Sequence, residues 1–103
     1  MSISPDLRFD WFAYGNTPRP ARIGDTLDGV RLGELEDEMQ DVISSYFAGD
    51  GSLDVERRDR LALAHAATQR ILPSVPDDPT RTYLASLARL AGKVLDRCGL
   101  TSA

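Results

Sequence analysis

The sequence predicts a mainly α fold, an antiparallel three-helix bundle preceded by an aromatic N-terminal arm. Three stretches, at about 34–48, 53–72 and 79–98, carry apolar residues at helical spacing. The breaks between them are short and rich in Gly, Pro and Ser, which makes successive helices antiparallel neighbours. The chain has 103 residues, 42% of them hydrophobic and 27% charged, which suffices for one domain with its own core. The expected organisation is a single domain 1–103, with arm and irregular connection over 1–33 and the bundle over 34–99.

The arm holds four of the seven aromatic residues: Phe9, Trp11, Phe12 and Tyr14. Two readings compete over 5–14. Ser4-Pro5-Asp6 resembles a cap, a first-turn proline and a first-turn acid, and Gly15 suits a helix end. Against this, Leu7, Phe9 and Trp11 alternate with Arg8 and Asp10 as in a strand. Residues 16–33 are dense in Pro and Gly and show no helical period. Within them Asp28-Gly29 lies between Leu27 and Val30, a hairpin-turn signal that would pair 25–27 with 30–32 in a small β-ribbon.

The helix at 34–48 is marked by a stripe of Leu35, Met39, Val42, Ile43, Tyr46 and Phe47. The helix at 53–72 takes Ser52 or Asp54 as cap and Pro73 as stop. It shows two faces, Leu61/Ala64/His65/Thr68/Leu72 and Leu63/Ala67/Ile71, as a central helix flanked on both sides would. Its alanines, Ala62, Ala64, Ala66 and Ala67, let neighbours approach closely. The helix at 79–98 is the most regular, with Tyr83, Leu84, Leu87, Leu90, Ala91, Val94, Leu95 and Cys98 on one face. Asp78 reads as its N-cap, Pro79 as its first residue, and Gly99-Leu100 as a Schellman-type end.

The formal net charge is −4. Residues 34–50 contain Glu34, Glu36, Asp37, Glu38, Asp41 and Asp50 and no basic residue, so the remainder of the chain is slightly basic. An acidic chain without interleaved basic and aromatic residues argues against nucleic acid, and equally against anionic membrane surfaces. No basic segment followed by an apolar run opens the sequence, and no apolar run reaches the roughly 20 residues that span a bilayer. The expected compartment is the cytoplasm. One cysteine precludes an internal disulfide.

Candidate chemistry is sparse. His65 has no acid three or four residues away, so it reads as a structural histidine. Cys98 lies near a helix C-terminus, where the dipole raises a thiol pKa, and reads as core. The Gly24, Gly29 and Gly33 spacing fits no phosphate-loop fingerprint, and no metal-ligand pattern is present. Arg89, Lys93 and Arg97 form a basic row, and Arg57, Arg58 and Arg60 a second cluster, each suited to solvent or to pairing with the acidic helix.

No catalytic residue, metal or cofactor is therefore expected. The leading expectation is a non-catalytic protein-binding module, an inhibitor of the immunity or antitoxin type that meets a basic partner. Its binding residues would be Glu34, Asp37, Glu38 and Asp41, with Trp11 and Tyr14 as aromatic anchors. One alternative is a small-molecule-binding or enzymatic bundle with a pocket between His65 and the N-terminal aromatics. Another is a homodimeric structural or regulatory protein in which a second chain covers the two-faced middle helix.

Overall fold

A computed structural model of the chain describes residues 3–49 and 51–99. Four α-helices, α1 (Pro5–Gly15), α2 (Leu32–Ala48), α3 (Val55–Ile71) and α4 (Asp78–Gly99), surround one core, with a two-stranded hairpin, β1 (Thr26–Leu27) and β2 (Val30–Arg31), between α1 and α2. The three bundle helices stand close to their expected positions.

The arm is a helix. The Ser4 hydroxyl accepts from the Leu7 N–H at 3.3 Å, and Pro5 begins the first turn without an N–H to satisfy. At the other end Asn16 Nδ2 donates to the Phe12 carbonyl and Thr17 Oγ1 to the Ala13 carbonyl, each at 2.9 Å, beside the Asn16 backbone N–H that reaches both. Local end signals thus prevail over the strand-like alternation. The consequence is that Leu7 and Tyr14 are buried while Phe9 and Phe12, on the opposite side, face solvent.

The hairpin forms where the Asp-Gly pair predicts it. Asp28 and Gly29 both have positive φ, 52° and 78°, the backbone that a two-residue turn matching strand twist requires. Thr26 pairs with Arg31 and Leu27 with Val30, and the Leu32 N–H adds a 3.1 Å bond to the Asp25 carbonyl.

Three details differ from expectation. The carboxylate of Asp77, not Asp78, caps α4, accepting from the Thr80 N–H at 3.1 Å and from the Thr80 hydroxyl at 2.6 Å. Thr80 is fully buried, so its hydroxyl needs that acceptor, and the cap moves back one residue to supply it. Helix α4 runs to Gly99, and Leu100, the second residue of the expected Schellman-type end, lies outside the described residues.

The second difference is that α4, not α3, is central. It packs on each of the other three helices, whereas α3 packs on α2 and α4. Leu61, Ala64, Thr68 and Ile71 of α3 are buried, but Leu63 is 74% exposed, because nothing covers that side. The third is Glu36, which is buried on the inner stripe of α2 with Leu32, Met39 and Ile43, while Leu35 and Phe47 are only half-buried. Of the two candidate caps of α3 it is Asp54 that accepts from the Arg57 N–H, at 2.8 Å. No described helix is long and apolar enough to cross a membrane.

Candidate functional site

The most concentrated chemistry lies where α1, the connection after it, α2 and α4 converge. Glu36 projects inward from α2 and is 2% exposed. Its Oε1 accepts from Arg19 Nε at 2.9 Å, and Arg19 Nη2 lies 2.8 Å from the same oxygen, an ion pair made through one carboxylate oxygen. Its Oε2 accepts from the Tyr83 hydroxyl of α4 at 2.6 Å and lies 3.2 Å from the Tyr14 hydroxyl of α1. The two tyrosine oxygens are themselves 3.0 Å apart, with ring centroids at 5.2 Å. No buried side-chain N or O among the described residues lacks a partner.

The electrostatics follow from this geometry. Burial pushes the Glu36 carboxyl upward, but the Arg19 and Tyr83 hydrogen bonds, the Arg19 charge and the Tyr14 hydroxyl outweigh it, and the pKa is lowered overall. Burial, then the hydrogen bond to Tyr83 and the Glu36 charge, raises Tyr14. Tyr83 is raised as well, by burial and by its bond to Glu36. Both phenols are therefore neutral donors to an ionised carboxylate at neutral pH. That is a charge held in place, not a base with a free lone pair facing substrate.

Two clefts flank this cluster. One, about 570 Å³, lies between α1 and α2 and includes Trp11, Phe12, Tyr14, Gln40 and Phe47, with Arg8 at its edge. Trp11 stacks on Phe47 at 5.4 Å between centroids and on Tyr14 at 5.8 Å. The other, about 550 Å³, lies between the Pro18–Pro20 connection and α4 and is lined by Arg19, Pro79, Thr82 and Tyr83.

The acids picked out on sequence separate into distinct environments. Glu34 is exposed and paired with Arg31 at 3.1 Å. Arg60 of α3 bonds to Glu38 through both Nε and Nη2, and its Nη2 lies 3.3 Å from Asp41. Asp37 is exposed and belongs to none of the described ion pairs. Of the two aromatic anchors, Trp11 is half-buried at the cleft, while Tyr14 is 6% exposed and engaged with Glu36 and Tyr83. The basic rows are partly consumed internally, as Lys93 reaches Asp10 at 2.6 Å and Arg57 reaches Asp54 at 2.8 Å.

His65 sits apart from the aromatics. It lies against Gly92 of α4, with Nε2 3.4 Å from Gln69 Nε2, and it does not line the aromatic cleft. Cys98 is half-buried against the core, and burial raises its thiol. Among the described residues no group of three or more His, Cys, Asp or Glu is placed to hold a metal ion.

On sequence alone Glu36 reads as one more acid of a solvated run. A signal was present: Leu32, Glu36, Met39, Ile43 and Tyr46 follow the helical i, i+4, i+7, i+11, i+14 pattern of a buried face. No family model, curated protein or solved structure matches this chain.

Proposed function

We propose that the chain is a non-catalytic protein-binding module that receives a basic partner on the outer side of α2 and in the adjoining aromatic cleft. The observation that carries this reading is an exposed aromatic anchor site beside carboxylates that remain open to solvent. Phe12 is 70% exposed at a cleft whose other aromatic members, Trp11 and Phe47, are already stacked. Asp37, one helical turn before Gln40 of that cleft, is exposed, and the Asp41 side chain is 66% exposed despite Arg60. An apolar side chain of the partner enters the cleft, while its cations meet Asp37 and Asp41.

The overall charge of −4 attracts such a partner over distance and makes the encounter salt-sensitive. The Glu36 cluster supports the same reading in another way. It ties α1, the connection, α2 and α4 at one point, so both walls of the cleft are held in fixed relation before binding. An inhibitor of the immunity or antitoxin type, which masks the basic surface of its target, is the role this arrangement suits.

The test is capture from the native host by tagged protein, washed at low and then high salt, with two variants beside the wild type. Asp37→Lys combined with Asp41→Lys removes the acidic row, and Phe12→Ser removes the exposed ring; all three positions face solvent. The expected result is one basic protein, released by salt and lost with either variant. Retention of the same protein by both variants overturns the proposal.

A further inference from the structure

We infer that a second copy of this chain docks on the groove between the hairpin, α2 and α3, forming a two-fold symmetric homodimer. The groove measures about 770 Å³ and is floored by Val30, Leu35, Ala64 and Ala67. Leu63, also of this groove, projects from it and is 74% exposed. A two-fold interface brings one patch against itself, so the patch must contain both a knob and a socket for it. Leu63 is the knob. The small side chains of Ala64 and Ala67 leave the socket, and exposed Ala62 and Ala66 on the outer side of α3 allow a second helix to come close.

Charge selects the occupant. Two copies of a chain with net charge −4 repel each other over most of their surfaces. The rim of this groove is balanced, with Arg31 and Arg60 against Glu34 and Glu38. Arg60 already compensates Glu38 and Asp41, so a basic partner gains little attraction there. Arg31 pairs with Glu34 and Arg60 with Glu38 within each copy, so this rim presents no net charge to repel a second copy. The neutral apolar groove thus suits a second copy, and the open acids beside the aromatic cleft suit a basic protein.

Size sets the strength. Two adjacent helices of 17 residues present a footprint of roughly 26 by 20 Å, or about 500 Å² per copy. That is below the roughly 800 Å² per partner of standard stable interfaces, which places this dimer in the weak, transient class.

Sedimentation equilibrium from about 1 to 500 µM tests this on the full chain, with Leu63→Glu and Leu63→Arg as variants. Leu63 is exposed, so both variants are expected to fold, and circular dichroism checks that they do. The expected result is a concentration-dependent dimer whose dissociation constant rises at least tenfold in both variants. Opposite added charges exclude a simple change in net repulsion as the cause. A wild type that stays monomeric throughout, or a dimer that neither variant weakens, overturns the inference.

Discussion

Tyr83 and Glu36, 47 residues apart in sequence, meet through a 2.6 Å hydrogen bond inside the protein, and Arg19 closes on the same carboxylate from the other side. A buried carboxylate of this kind is costly to desolvate and stabilises only while all of its donors stay in place. Glu36→Gln keeps the shape but removes the charge that Arg19 and Tyr83 both use, at an expected cost of about 2 kcal/mol at neutral pH. The sign of the pH dependence follows from the lowered carboxyl. The folded state holds the Glu36 proton less readily than the unfolded chain, so the stabilisation is complete above the unfolded pKa. It is lost as pH falls through the folded value. Urea denaturation of wild type and Glu36→Gln should show a constant gap from about pH 7 to pH 5 that closes below about pH 4. A gap that holds or widens on acidification contradicts this assignment.

The two tyrosines should not be equivalent. Tyr83 makes the short bond to the carboxylate, whereas Tyr14 stands 3.2 Å from Oε2 and 3.0 Å from Tyr83. A hydrogen bond to a charged acceptor is worth about 1.5–3 kcal/mol, so Tyr83→Phe should cost about 2 kcal/mol. Tyr14→Phe should cost under about 1 kcal/mol, since Tyr83 still serves Glu36. Equal losses in denaturant midpoint, or the reverse order, would show that the hydroxyl network is organised otherwise.

Much of the fold was legible because its causes are local. The stripes of α2, α3 and α4 repeat at helical spacing, and Asp28-Gly29 declares a turn by its backbone needs. α1 was ambiguous because Phe9 and Phe12 spoil its amphipathic pattern by pointing outward, and only the end signals at Ser4 and Pro5 decide it. The Glu36 cluster was hidden for a different reason. Its members come from α1, an irregular connection, α2 and α4, and an acid among acids resembles a solvated face. The split of the acidic run between Arg60, Arg31 and open solvent likewise depends on how α3 and the hairpin pack.

Gly92 offers a test of His65. A Cβ at residue 92 would stand 3.3 Å from His65 Nε2, the far end of a half-exposed side chain, with no backbone atom in contact range. Replacing a helix-interior glycine by alanine gains about 0.8–1 kcal/mol. The ring can turn by the few tenths of an ångström required. Gly92→Ala should therefore raise the melting temperature, by several degrees for a chain of this size. A fall in melting temperature would mean that His65 is locked against α4 and that its position matters more than packing alone implies.

The two proposed surfaces share α2 but should respond oppositely to salt. The partner surface uses unbalanced carboxylates, Asp37 and Asp41, so binding should weaken as salt rises from about 50 to 500 mM. The dimer groove has a balanced rim, so screening there mainly relieves repulsion between two negative chains. Dimerisation should hold or tighten over the same range. Arg60→Gln links the two effects. It is 40% exposed and bridges α3 to Glu38 and Asp41, so its loss should cost the fold under about 1 kcal/mol. It uncovers two carboxylates beside the groove, which should weaken the dimer at low salt and make its tightening by salt steeper. It also adds to the acidic row of α2, which should strengthen capture of a basic partner at low salt. Sedimentation and partner capture on the same variant read both effects. A change of both in the same direction would show that the two surfaces are one.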